Sequence, residues 1–266
     1  MTGAWKMYAL SDDLHALGAR VRAALPISLV QAAGPEGALV ALQGGDVDWV
    51  HRAWEAAEAG ARGLVVERPS RPNEASCERL ATLAERLPIV LRRPYVSHPA
   101  LLADRDSWPH RGTTLLVTGE QFVHPDSDLA DAVFDHLSAV RAIAGRPSQA
   151  HVHAFDANGY SLSASSASGA DIVLVGIVSA AEPPRLETQI VASPQRLTVT
   201  LLTEATSRPG EIVITDPDGE RRLPTTYEDV HRSAWRRLID AAEHDAPVAD
   251  VADFVADIAS AVEALP

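Results

Sequence analysis

The sequence predicts an α/β chain in two parts: a doubly wound parallel sheet over residues 1–95, then an α+β part with a large open, mainly antiparallel sheet over residues 96–266. Three observations predict it. Apolar runs of strand length alternate with amphipathic helical stripes over the first ninety-odd residues, the pattern of βαβ units. Beyond residue 96, strand-like runs follow one another with few helices between, and Asn158-Gly159 and Asp218-Gly219 supply hairpin turns. Two amphipathic helices close the chain, one lined by Val230, Ala234 and Leu238, the other by Val251, Phe254, Ile258, Val262 and Leu265.

In the first part, "KMYAL" (residues 6–10) reads as a strand, and Ser11 as the N-cap of a helix striped by Leu14, Leu17, Val21 and Leu25. "ISLVQAA" and "ALVALQ" are the next strands. Val47, Val50, Trp54 and Ala57 line a helix that Gly60 ends. "GLVVE" is an apolar run suited to a strand covered on both faces. A helix carrying Cys77, Leu80, Ala84 and Leu87 leads to the strand "PIVLRR". In the second part, "TTLLVTGEQFV" is a strand, and Leu129, Val133, Leu137, Val140 and Ala144 mark a helix stopping at Gly145. The strands "QAHVHAF", "YSLSAS", "DIVLVGIVSA", "LETQIVA" and "RLTVTLL" follow.

Composition excludes several classes. Hydrophobic residues make up 46% of 266, enough for a sizeable core. Lys plus Arg number 23 against 36 for Asp plus Glu, a net charge of −13, so a nucleic-acid partner is not expected. Cys77 is alone, which excludes an internal disulfide and a cysteine-based zinc cluster. The N-terminus lacks the apolar core of a signal peptide and no segment reads as a bilayer span. A cytoplasmic protein with no membrane partner is expected.

The chemistry-bearing residues gather at a few places. Glu67 and Arg68 follow "GLVV", at the strand end where open α/β sheets bind ligands. A guanidinium stays protonated at neutral pH, so Arg68 either clamps a carboxylate or phosphate or pairs with Glu67. Asp131 and Asp135 share a helical face, with His136 turned about one hundred degrees away. His98 lies near the junction of the two parts. His151 and His153 project from one face of a strand, but no third ligand is evident and no metal is expected.

Three stretches carry a resemblance: "HRAWEAAEAGARGLVVERPSRPNEASCERLATLAERLPIVLRR", "DLADAVFDHLSAVRAIAGRP" and "AWRRLIDAAEHDAPVADVADFVADIASAVEA". Together they make the chain similar to the glucose–fructose oxidoreductase / inositol dehydrogenase / MocA (Gfo/Idh/MocA) family of NAD(P)-dependent dehydrogenases. The resemblance implies a Rossmann-like first domain, here shortened and degenerate, and a family-type C-terminal sheet domain. It implies oligomerisation through the open sheet, with copies of itself or another chain, and a small-molecule ligand in an interdomain cleft. Arg68 stands where the family's Glu-Lys-Pro motif has lysine. Counting back from Gly145, the family's catalytic His and Asp fall on Asp135 and Ser138, with His136 one step out of register. The resemblance thus points to Arg68, Asp135 and His136 as catalytic candidates and to Glu67, Arg68 and His98 as substrate-binding ones.

The loop after the first strand departs from the family. A dinucleotide loop needs glycines for its tight turn and for close approach to pyrophosphate. Here Ser11, Asp12, Asp13, Leu14, His15 and Ala16 fill that window. Two unit charges at ~4 Å repel by roughly 4 kcal/mol at an intermediate effective dielectric. "ISLVQAAG" also ends without the acid that holds a ribose hydroxyl. The sequence therefore leads to an expectation of no cofactor, with NAD(P) bound only in an atypical manner. It reads first as a relative that has lost standard dehydrogenase activity and serves as a binding or assembly partner. The alternative is an atypical oxidoreductase with a remodelled cofactor site, acting on a sugar, cyclitol or related carbonyl or polyol compound.

Overall fold

The computed structural model describes residues 8–12, 25–102, 108, 113–203, 209–244 and 248–265. Two compact units emerge, one made of Met1–Arg93 with Asp229–Val255, the other of Pro94–Glu228 with Ala256–Pro266.

The first unit is a five-stranded parallel sheet in the order β2-β1-β3-β4-β5. The strands are β1 (Tyr8–Asp12), β2 (Leu29–Gln31), β3 (Leu39–Gln43), β4 (Gly63–Glu67) and β5 (Ile89–Arg92). All of β4 is buried, as its unbroken apolar run requires. Helix α1 (Trp49–Glu58) connects β3 to β4 and α2 (Glu74–Ala84) connects β4 to β5. Asn73 caps α2 by accepting from the Ser76 amide at 2.9 Å. β2 and β3 flank β1 on opposite sides, so the strand order reverses between β1 and β3.

Two sequence expectations change here, and one falls outside the described residues. β1 runs to Asp12, because Ser11 and Asp12 pair with Val40 and Ala41 of β3; Ser11 is therefore a strand residue, not a helix cap. The helix expected from Leu14 lies outside the described residues save for its last member, Leu25, which is buried in the core. Val47 precedes α1 and is 74% exposed. The domain division differs as well. Helix α5 (Val230–His244) belongs to the first unit, because Ala234, Trp235 and Leu238 complete the core formed by Leu39, Ala41, Val65 and Val90.

The second unit is built on an eight-stranded sheet in the order β13-β12-β11-β10-β6-β9-β8-β7. Its strands are β6 (Thr114–Val123), β7 (Ser148–Asp156), β8 (Gly159–Ser165), β9 (Asp171–Val178), β10 (Arg185–Ala192), β11 (Arg196–Leu202), β12 (Glu211–Asp216) and β13 (Gly219–Arg222). All neighbours are antiparallel except β6 and β9. Both predicted hairpins form: Asp156 pairs with Gly159, and Asp216 with Gly219. A short helix α3 (Pro99–Leu102) and the long helix α4 (Leu129–Ala144) belong to this unit. Asp128 caps α4 by accepting from the Ala130 and Asp131 amides, and Gly145 ends it at a φ of 94°. The last helix, α6 (Asp250–Ala264), has residues in both units. In the second, Arg141 of α4 grips the buried Asp257 carboxylate with two hydrogen bonds, at 2.5 and 3.2 Å.

One face of the large sheet carries the alternate residues Leu186, Val199, Leu201 and Ile214 into a core with Ala139 and Ile143 of α4. The opposite face presents Val173 and Val175 at 44% and 38% exposure. No described helix is long and apolar enough to cross a membrane.

Candidate functional site

The carboxyl edge of the parallel sheet gathers the charged residues of the first unit. Glu67 ends β4 and Arg92 ends β5, and the two are register partners. The Glu67 carboxylate is buried, bonded through Oε2 to Arg92 Nε and through Oε1 to His231 Nδ1 at 3.2 Å. Burial alone would raise the Glu67 carboxyl. The hydrogen bond from His231, with the charges of Arg92 and His231, outweighs burial and holds it below the ordinary glutamate range. Glu67 is thus engaged in an internal ion-pair network with Arg92 and His231.

Arg68 is exposed and sits at a φ of 50°, a conformation that costs a non-glycine residue about 1–2 kcal/mol. Hydrogen bonds on every side impose it. The Arg68 amide donates to Arg92 O at 2.9 Å, the Gly44 amide donates to Glu67 O at 2.8 Å, and the Ser70 amide donates to Gly44 O at 2.7 Å. Gly44 has no room for a side chain, since a Cβ would fall 2.6 Å from Pro69 Cα and 2.9 Å from Glu67 O. Gly45 is different: a Cβ there would meet only Gln43 Nε2, at 3.6 Å.

In the second unit the candidates divide sharply. His136 is wholly buried, with Nδ1 2.7 Å from Tyr160 Oη, which in turn donates to Gln121 Oε1 at 2.8 Å. Tyr160 therefore accepts from His136 Nδ1–H. The Nε2 edge packs on Gly119, where any Cβ would collide with it. Burial pushes the imidazole down to about 3, so it stays neutral at physiological pH and holds α4 onto the sheet. His98 is likewise enclosed: its Nδ1 accepts from the Ala100 amide at 3.1 Å, starting α3, and burial lowers it to about 4. It packs on Gly210 within the second unit. Asp135 is half-buried, and its charge raises Tyr95 and Tyr160 in addition to the larger effect of their burial. Ser138 turns back on its own helix, donating to Phe134 O at 2.7 Å.

His151 and His153 do share an exposed face of β7, with ring centroids 4.9 Å apart and His153 bonded to Ser163. No group of three metal-ligating residues occurs among the described residues. Arg92, His231 and Gly44 escaped the sequence reading. Arg92 is recognisable only from strand register, and His231 only from the fold that returns α5 to the first sheet. Gly44 and Gly45 were visible as a pair, but stand after β3, not after β1.

No sequence family matches the chain, and no curated protein does. Solved structures match strongly. UDP-N-acetylglucosamine 3-dehydrogenase from Acidithiobacillus ferrooxidans superposes with a TM-score of 0.68 at 16% identity, over 85% of this chain and 76% of that one. The fold is that of the Gfo/Idh/MocA-type oxidoreductases. A candidate myo-inositol dehydrogenase from Sinorhizobium meliloti 1021 gives a TM-score of 0.65 at 16% identity, over 97% of this chain and 96% of that one. A 3-ketoreductase from Actinomadura kijaniata, solved as a variant with TDP-benzene and NADP, gives 0.62 at 16% identity, over 86% and 76% of the two chains. At these identities the likeness is one of fold.

The expectation of no cofactor is corrected by these structures. The Actinomadura protein holds NADP on this same Gfo/Idh/MocA-type fold, and NAD(P) binding is typical of it. The sequence argument rested on a window of which Asp13, Leu14, His15 and Ala16 lie outside the described residues, and whose Ser11 and Asp12 are in β1. The described residues accommodate a dinucleotide at two points. The strand order reverses between β1 and β3, which in open α/β sheets creates the ligand crevice. Gly45 follows β3 directly beside it and leaves the backbone open to close approach.

Proposed function

We propose that the chain is an NAD(P)-dependent oxidoreductase acting on a sugar, a cyclitol or a related polyol or carbonyl compound. The observation that carries this reading is the reversal of strand order between β1 and β3, with Gly44 and Gly45 at its edge and Arg68 just after the adjacent strand β4. Gly45 would admit the dinucleotide to close approach of its backbone there; the nicotinamide ring supplies hydride transfer when bound. Arg68 orients the substrate. It does not carry the reaction's proton, because a guanidinium stays charged at neutral pH. His136 and His98 are enclosed and held neutral by burial. Asp135 remains as the half-buried carboxylate able to accept a proton.

The test incubates the full chain with NAD+ or NADP+ and a panel of cyclitols, sugars and nucleotide sugars, following formation of the reduced cofactor. Turnover is expected with at least one alcohol, and Asp135→Asn is expected to lower it by about 10²–10⁴-fold. Cofactor binding without turnover on any member would favour a partner protein over an enzyme. The same reading includes pairing of two copies through the open sheet face around Val173 and Val175, since exposed apolar patches mark contact surfaces. Light scattering then shows a dimer or larger species that Val175→Lys dissociates, and a monomeric wild type would remove this part.

A further inference from the structure

Strand β7, at one edge of the large sheet, departs from regular pairing twice between Ser148 and Ala154. Ser148 faces Ser165 and His151 faces Ser163 on β8, so three steps along β7 match two along its partner. Val152 faces Leu162 and Ala154 faces Ser161, so two steps then match one. The first irregularity holds Gln149 at a φ of 53°, a conformation that costs a non-glycine residue about 1–2 kcal/mol. The second holds His153. A bulge blunts an edge strand against pairing with another chain. It also re-aims side chains, and the side chains between and within these two bulges are imidazoles.

His151 and His153 are both exposed, with ring centroids 4.9 Å apart and ring planes at 77°. They share one neighbour, Ser163: His151 stands opposite it by register, and His153 Nε2 lies 2.8 Å from its Oγ. Ser163 in turn faces Val173 of β9, which is on the open side of the sheet. With Nε2–H donating to Ser163, the His153 lone pair is on Nδ1. A metal-ligating imidazole has this arrangement, in which its N–H goes to a neighbouring oxygen that fixes tautomer and ring orientation. The ring spacing fits as well. An ion about 2.0–2.1 Å from one nitrogen of each ring lies about 3.2 Å from each ring centre. Two rings bound at an angle of about 90–109° then have centres about 4.5–5.2 Å apart. The observed 4.9 Å falls inside that interval. A net charge of −13 favours the approach of cations to this surface.

We propose that His151 and His153 chelate one divalent transition ion, that water completes its coordination in place of a third side chain, and that Ser163 is a positioning residue for His153. Imidazole ligands select ions of the Cu2+, Ni2+ and Zn2+ kind, with Cu2+ held most tightly. Mg2+ prefers oxygen ligands and is not held. The site involves β7 and β8 alone, so it stands or falls independently of the oxidoreductase reading.

The test is calorimetric titration of the full chain, stripped with EDTA and free of any affinity tag, with the chlorides of Cu2+, Ni2+, Zn2+ and Mg2+. One Cu2+ per chain is expected at the tightest site, with Ni2+ and Zn2+ weaker and Mg2+ silent. His151→Gln and His153→Gln are each expected to weaken that site at least tenfold. His51→Gln, which removes an exposed imidazole of α1 paired with Glu55, is expected to leave it unchanged. Ser163→Ala is expected to weaken it about tenfold, and Ser163→Thr, which keeps the hydroxyl, to restore it. Electron paramagnetic resonance of the Cu2+ form should show coupling to two nitrogens in the wild type and to one in either histidine variant. Cu2+ binding by the wild type no tighter than by His151→Gln with His153→Gln would reduce the site to adventitious surface binding and overturn the proposal. So would a one-nitrogen spectrum in the wild type. Ser163→Thr as weak as Ser163→Ala overturns the positioning role.

Discussion

Replacing Gly44 by alanine tests the brace around Arg68 at its least forgiving point. The added methyl would stand 2.6 Å from Pro69 Cα, 2.8 Å from Val66 Cγ1 and 2.9 Å from Glu67 O. Two of these neighbours are backbone, so no rotamer change relieves the collision. Either β3 or the chain after β4 must shift. A shift that separates the strands weakens the hydrogen bonds from Gly44 N to Glu67 O and from Ser70 N to Gly44 O, which are 2.8 and 2.7 Å long. Overpacking of this kind costs about 1–3 kcal/mol, and each weakened hydrogen bond adds about 1 kcal/mol. A total of about 3–5 kcal/mol is therefore expected. Urea unfolding followed by circular dichroism reads this as a lower midpoint at unchanged slope. The same variant should bind ligands of the carboxyl edge more weakly, because residues 67–69 move. Wild-type stability together with wild-type binding would refute the reasoning, since it would mean that the close approach of Gly44 constrains nothing.

Arg68→Gly removes the strain and is expected to raise stability by about 0.5–1 kcal/mol while lowering turnover; an unfolding curve and the cofactor-reduction assay together check this opposition. Acid should destabilise the fold through two of its enclosed histidines, His98 and His136. Their folded values, about 4 for His98 and about 3 for His136, lie below the unfolded value of about 6.5. The unfolded chain therefore binds more protons, and stability is lost as pH falls below about 6.5, by roughly 2 kcal/mol per histidine at pH 5. His136→Gln should flatten the pH dependence of the unfolding midpoint over that window. Removal of the Arg141 side chain takes from the buried Asp257 carboxylate the two hydrogen bonds that Arg141 gives it. Arg141→Met is expected to cost about 3–5 kcal/mol, and Arg141→Met with Asp257→Leu to recover most of that.

Much of the architecture was legible because its signals are local. The buried run of β4, the stop of α4 at Gly145, and the two Gly-containing hairpins each depend on a handful of neighbouring residues. The site was harder to read because its geometry is not local. Glu67 and Arg68 stood out by their place after an apolar run, yet their roles separate only when Arg92 and His231 are brought in from 25 and 164 residues away. His136 looked like a displaced catalytic group, because periodicity places a side chain on a helix face without saying what closes over it. Gly119 and Tyr160, on two different strands, do so. The cofactor expectation failed for a related reason. It took the presence of glycine at one loop as decisive, whereas the glycine pair after β3 and the reversal of strand order beside it become meaningful only once the sheet is assembled.

Titration of the purified chain with NADPH and with NADH, followed by the cofactor's own fluorescence, bears most directly on the proposed activity. Saturable binding in the micromolar range to at least one of them is predicted. A flat signal with both cofactors up to millimolar concentration would contradict the account.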